Sequence, residues 1–238
     1  MKGKMRLALF LLLLSSDPSR AHDLWVADVN GGYYAILRGH LPGILEPYNP
    51  PCIQELSALD EKGLPLALKR VDRERQVVFQ APSAPALVAV AAAWGVRVID
   101  ETGKKHFMSK AQAVEAGMAV KEAFFSAQYS KTLFRFHNSF TKPIGMKLEV
   151  VPQANPLILR KGDTLTIQVL LDGLPLSKAK VQRGGKAAAG ETDANGIAEV
   201  RIDGTGWQKV AVVHDAPAPE NSGLDYLRLS AFLVFPLK

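Results

Sequence analysis

Five histidines and one cysteine are the residues of this 238-residue chain best suited to ligate a metal or attack a substrate. His22 stands out by position. It follows Ser19-Arg20-Ala21, with small residues at the two positions a signal peptidase reads, so cleavage after Ala21 would make it the first residue of the mature protein. A terminal histidine offers an α-amine, which titrates near ~7.7–8, and an imidazole, near ~6.5. Both become donors when deprotonated, and a metal can displace both protons at neutral pH while a chelate ring closes. Nitrogen-rich, tetragonal sets of this kind favour Ni²⁺ or Cu²⁺. His40 is the best further donor, because Gly39 lets backbone approach closely and a turn follows. Asp23 is placed to orient an imidazole as an acceptor. The plainer readings stay open: His22 as an accident of cleavage, and His40 as a loop residue.

The other candidates read as structural. His106 beside Lys104-Lys105 is expected at the solvated surface, since neighbouring positive charge disfavours a bound cation. His137, within Phe134–Asn138, fits a half-buried residue with its hydrogen bonds met, and His214-Asp215 a capped turn at a strand end. Thr192-Asp193-Ala194-Asn195-Gly196 resembles half a calcium loop without the downstream glutamate, so it reads as a hairpin turn. Cys52, flanked by Pro50-Pro51 and Ile53, has no basic neighbour to activate it and is expected to be a structural thiol. There is no Gly-x-Ser-x-Gly, His-Glu-x-x-His or phosphate-cradling glycine loop, and the expectation is a protein that is not an enzyme.

The elements that must position these residues are mostly strands. Residues 1–21 read as a signal peptide: a basic start, an apolar run from Leu7 to Leu14 too short to span a bilayer, then Pro18. Export to the periplasm is expected. Beyond it, short apolar segments spaced by Gly, Pro, Asn and Asp suit a sandwich or barrel better than a parallel α/β sheet. The expected fold class is mainly β. A β-rich domain over 22–151 carries one helix, which the Ser109/Gln112 capping box starts and the apolar spacing extends to about Ser126. Ala86–Trp94 is expected as a central buried strand. Pro152-Gln153-Ala154-Asn155-Pro156 marks a boundary, and 152–238 reads as an immunoglobulin-like or transthyretin-like sandwich. The net charge of +6 includes the basic leader, and no basic stripe remains to suggest nucleic-acid binding.

Several motifs recur in order along the chain: Ala21-His22-Asp23-Leu24-Trp25-Val26, Gly39-His40-Leu41-Pro42, Leu148-Glu149-Val150-Val151-Pro152, Asp172-Gly173-Leu174-Pro175-Leu176, Thr192–Gly196 and Gly206-Trp207. Together they resemble periplasmic proteins associated with nickel and cobalt uptake, largely catalogued as a conserved bacterial domain of unknown function. The resemblance implies a β-rich domain followed by a transthyretin-like or carboxypeptidase-regulatory-like one. It also implies a nickel or cobalt ion as ligand and an inner-membrane energy-coupling transporter as partner. Lys104–Ala113 departs from the more aromatic, Lys-rich form of that family. Three readings follow: a metal-binding accessory protein with His22 and His40 as ligands, a structural β-sandwich module of the envelope without a ligand, and a copper-brace redox protein.

Overall fold

The structure is a computed structural model that describes residues 22–41, 43–184 and 189–237. The expected signal peptide and its cleavage point, residues 1–21, lie outside the described residues, as does Pro42. The strands of the first half are β1 (Asp23–Asp28), β2 (Tyr33–Gly39), β3 (Ile53–Leu59), β4 (Lys69–Arg73), β5 (Gln76–Gln80), β6 (Leu87–Asp100), β7 (Lys105–His106), β8 (Val120–Leu133) and β9 (Leu148–Pro152). Those of the second half are β10 (Thr164–Leu171), β11 (Leu174–Pro175), β12 (Lys180–Arg183), β13 (Gly190–Glu191), β14 (Ile197–Arg201), β15 (Gly206–Pro217) and β16 (Tyr226–Leu237).

The fold is mainly β, and its strands form stacked sheets. One sheet has the order β1-β2-β5-β4; a small one gathers β9, β11 and β14 around β10; the largest runs β13-β12-β15-β16-β8-β6-β3, with β7 added to β6. The large sheet is the middle layer, and side-chain alternation proves it. Val88, Val90 and Ala92 of β6 pack with Leu24, Ile36 and Phe79 of the first sheet, while Leu87 and Ala89 pack with Leu165, Ile167 and Val200 of the small one. In β16, Phe232 and Val234 join the former core and Leu229, Ala231, Leu233 and Phe235 the latter. Near-continuous apolar runs such as Ala86–Ala93 are what a strand buried on both faces requires.

Hydrogen bonding crosses the expected boundary near residue 152. β9 pairs with β10, and β16 pairs in parallel with β8 from Tyr226↔Phe124 to Val234↔Thr132, so residues before and after 152 share one sheet and one core. The Pro/Asn run makes a single 3-10 turn, Pro156–Ile158, with the Asn155 side chain accepting from the Leu157 N–H.

The helix α1 (Lys110–Glu115) is shorter than expected. Its capping box is present, with Ser109 Oγ accepting from Gln112 N (3.1 Å) and Gln112 Oε1 from Ser109 N (2.9 Å). Gly117, at φ +74°, then ends it, and Val120–Leu133 runs as one long strand. The apolar spacing from Met118 to Phe125 belongs to a strand's two faces, so the periodic pattern was read across a change of element.

Among the described residues two ion pairs are buried, Asp23–Lys209 and Lys131–Glu149. Lys131 Nζ donates to Glu149 Oε1 (2.7 Å), both side chains being almost wholly buried, and the Glu149 carboxylate also accepts from the N–H groups of Ile144, Gly145 and Met146. Burial pushes the Lys131 ammonium pKa down, against the opposing pull of Glu149.

Candidate metal centre

Three sequence features bring His22 and His40 together. The β1–β2 hairpin turns through Asn30-Gly31-Gly32, all at positive φ, a conformation that Asn and Gly tolerate. Its register pairs Asp28 with Tyr34 and Asp23 with Gly39. Extended by one residue, the same register sets His22 opposite His40, and their rings lie 4.8 Å apart. Beyond Gly39 the chain folds into a tight loop in which His40 N donates to Ile44 O (2.8 Å) and Gly43 N to His40 O (2.7 Å). Glu46 N then returns to Arg38 O (2.8 Å), which places the Glu46 carboxylate beside both histidines.

Gly39 is required at the root of this loop. Its φ is +152°, and a Cβ built there would lie 1.9 Å from Ile44 O. The close approach expected from Gly39-His40 is thus present. Asp23 is buried with its Oδ1 on Lys209 Nζ and its Oδ2 accepting from Leu41 N (2.9 Å). Asp23 therefore does not orient an imidazole, as the sequence suggested; it fixes the backbone of the loop next to His40.

β1 is the edge strand of its sheet, and side chains of the central sheet hold it down. Gln128 Nε2 donates to His22 O (2.6 Å), Ser130 Oγ donates to Leu24 O (2.6 Å), and Thr132 Oγ1 accepts from Val26 N (3.0 Å). Three alternate residues of β8 thus serve alternate backbone groups of β1 and set where His22 stands.

His22 Nε2 is 2.6 Å from Glu46 Oε1, and Arg38 binds both residues: its Nη1 lies 2.6 Å from Glu46 Oε2 and its Nη2 2.8 Å from His22 Nδ1. Because the guanidinium can only donate, Nδ1 accepts, and the neutral ring carries its proton on Nε2, pointing at Glu46. Burial, then the charge of Arg38, lowers the His22 pKa below the ordinary 6.5, outweighing the opposite effect of Glu46. Burial pushes the Glu46 carboxyl up, but the charges beside it hold it below its usual value; with His22 neutral, Arg38 is the one acting at pH 7. One ligand atom each from His22, His40 and Glu46 fall within 4.8 Å of one another, the one such group among the described residues. Glu46 and Arg38 also wall a cleft of about 440 Å³ that opens to solvent.

The donor set suits a divalent ion. Two imidazoles and a carboxylate with positions left for water are borderline N/O ligands, and an ion taking the place of the Nε2 proton would part His22 and Glu46 to the ~3 Å that ~2.1 Å metal–ligand bonds impose. Arg38 works against it by placing a positive charge next to two of the three donors. The amine–imidazole chelate expected from the sequence would use Nδ1, because only that nitrogen can close a small ring with the same residue's amine. In this structure Arg38 occupies Nδ1, so the set that faces a common point is Nε2, His40 and Glu46.

The remaining histidines are accounted for. His106 is not a solvated surface residue: in β7 its Nε2 is 2.8 Å from Asp100 Oδ2, and the pair is largely shielded. His137 Nδ1 meets Ser139 Oγ (2.8 Å) at the start of a 3-10 turn, as a satisfied histidine would. His214 and Asp215 lie within β15, not at a capped turn that ends a strand, and Asp215 forms a two-pronged pair with Arg228 across the β15–β16 ladder. Cys52 is half-buried, and burial pushes its thiol pKa up. Glu46 and Arg38 were missed in the sequence. Arg38 sits two residues before His40, hence on the same strand face, and Glu46 is the first acid after His40; those two spacings were the available signal.

Fold and site together define a mainly β protein with a two-histidine, one-carboxylate cluster where the edge of one sheet ends over another. A family model described as "Domain of unknown function (DUF4198)" matches residues 20–216, and the chain belongs to that family. No curated protein and no solved structure gives a significant match.

Proposed function

We propose that this chain is an exported accessory protein that binds a nickel or cobalt ion for uptake, through His22, His40 and Glu46. The observation that carries the reading is the convergence of these three donors at the end of one hairpin. Export and a transporter partner follow from the leader-like first 21 residues and from the resemblance to nickel- and cobalt-uptake proteins. The metal is cargo, and the site has the features of reversible binding: few protein donors, partial exposure and an opposing arginine.

The test is nickel and cobalt calorimetry on protein starting at His22, on a form retaining several residues before it, and on His22→Ala, His40→Ala and Glu46→Gln. Each substitution is expected to weaken binding at least tenfold, and the extended form to bind as the processed one does. Equal affinity in all five proteins would overturn the reading. Loss of binding in the extended form alone would show that the terminal amine and Nδ1, not Nε2 and Glu46, hold the ion.

A further inference from the structure

The central sheet is longer than the sheet that covers it. Past His22, which precedes β1, the same face of β6, β8 and β16 continues uncovered, and its character changes from apolar to cationic. A one-residue bulge between Ala93 and Gly95 causes part of this change. Before it, even-numbered residues of β6 (Val88, Val90, Ala92) face the first sheet; after it, odd-numbered ones do, which sends Arg97 to this face opposite Phe124. Lys105 joins it from β7, pinned by the His106–Asp100 pair, and Arg228 from β16, opposite Ser126. With Arg38 and Trp94 they line a cavity of about 100 Å³ next to His22.

The charge here is unbalanced. Arg38 and Arg228 have acidic partners in Glu46 and Asp215, but among the described residues neither Arg97 nor Lys105 has one within ion-pair distance. Among the described residues no acid lines the cavity. Glu122, on the same face, is engaged with the Tyr226 hydroxyl (2.9 Å). Burial and the charges of Arg228 and Arg97 together lower the Lys105 pKa, and burial with Arg38 lowers that of Arg97. Within the wall, Arg38 Nε and Trp94 Nε1 are buried donors without acceptors, against a single unpaired acceptor, Gln128 Oε1. The wall also carries two serines, Ser126 and Ser230, and aromatic rings: Arg97 stacks on the exposed ring of Phe107 (4.1 Å) and Arg228 on Phe124 (4.8 Å).

We infer that this cavity binds a small organic anion of the di- or tricarboxylate class. Arg97 and Lys105 take its carboxylates, and Phe107, Trp94 and Phe124 contact its carbon skeleton. Arginine forks match carboxylates in shape as well as charge, and partial burial of Arg97 strengthens its pairing. Aromatic walls distinguish such a ligand from inorganic phosphate or sulfate, which has no apolar surface to bury.

Citrate, phosphate and sulfate are titrated by calorimetry at low ionic strength into the metal-free, full-length processed protein, its Arg97→Gln/Lys105→Gln double variant and a Lys147→Gln control at a distant exposed lysine. Citrate is expected to bind with a sub-millimolar Kd, at least tenfold more weakly to the double variant and unchanged in the control, with phosphate and sulfate at least tenfold weaker than citrate. Thermal melts establish that the double variant is folded. No citrate binding, or equal binding by the double variant, would overturn the site; phosphate binding as tightly as citrate would overturn the carboxylate class. Because no metal is present, this result stands or falls separately from that of the nickel titrations.

Discussion

Replacing Gly39 by alanine tests the link between backbone geometry and the metal centre. The added Cβ would lie 1.9 Å from Ile44 O, 2.9 Å from Ile44 C and 3.0 Å from Leu45 Cα. A carbon–oxygen contact needs roughly 3.3 Å, so the returning strand must retreat by about 1.4 Å. That movement breaks the His40 N–Ile44 O hydrogen bond and the Gly39–Leu45 bridge, worth about 1 kcal/mol each. A side chain at φ +152° adds about 1–3 kcal/mol of backbone strain. The total, about 3–5 kcal/mol, corresponds at ~2–4 °C per kcal/mol to a fall in Tm of about 10 °C. Because His40 and Glu46 stand on opposite sides of the moved segment, nickel affinity is expected to drop at least tenfold. Scanning calorimetry and nickel titration read both effects. Gly103→Ala is the control: its φ is +84° but its Cβ would meet nothing within 4 Å, so strain alone acts. A Gly39→Ala protein no less stable than Gly103→Ala, with unchanged nickel affinity, would refute the account.

Other expectations follow from the same contacts. Arg38→Met removes a positive charge from beside His22 and Glu46 and should tighten nickel binding about tenfold or more, since a unit charge ~5 Å from a divalent ion costs on the order of 2 kcal/mol even when largely solvated; unchanged or weaker binding would count against Nε2–Glu46 ligation. His22 should titrate below 6.5 in proton NMR of the metal-free protein. Around that pH the unfolded chain then binds more protons than the folded one, so this residue makes stability rise with pH, and His22→Ala should flatten the slope. A folded-state midpoint at or above 6.5 would contradict the burial and Arg38 effects. Glu149→Ala should destabilise by about 3–5 kcal/mol, leaving buried Lys131 and three N–H groups without an acceptor, while Lys131→Met should cost less because Glu149 keeps those backbone donors. Urea unfolding of the two variants, with the reverse order as the refuting result, decides it.

The strands were legible where side-chain pattern alone decides them. Ala86–Trp94 was readable as a buried strand because no polar residue interrupts it, and Asp193-Ala194-Asn195-Gly196 as a turn because Asp193 Oδ1 can accept from the Asn195 and Ile197 N–H groups. His22 and His40 stood out by residue type and by the glycine before His40. The layering was not legible. The parallel pairing of β16 with β8 joins residues about a hundred positions apart, and no local pattern records it. Asp23 misled because its partner, Lys209, is more remote still, 186 positions away. Glu46 and Arg38 were hidden for a different reason: charges in loops and on edge-sheet strands are common, and only the hairpin register shows that this loop acid meets this strand arginine.

The bulge at Trp94 divides one strand into two independently numbered halves. Before it, a substitution at an even position of β6 alters the packing against the first sheet; after it, the same parity faces the opposite side, where Val98 packs against Ala113 and Ala123. Straightening the strand there with every residue kept would act like a frameshift in space. Arg97 would turn toward the helix and Val96 toward the cavity, with every residue type downstream unchanged. A chain built this way can revise its ligand-facing half by point substitution while its core half stays fixed, as long as the bulge between them keeps Arg97 opposite Phe124.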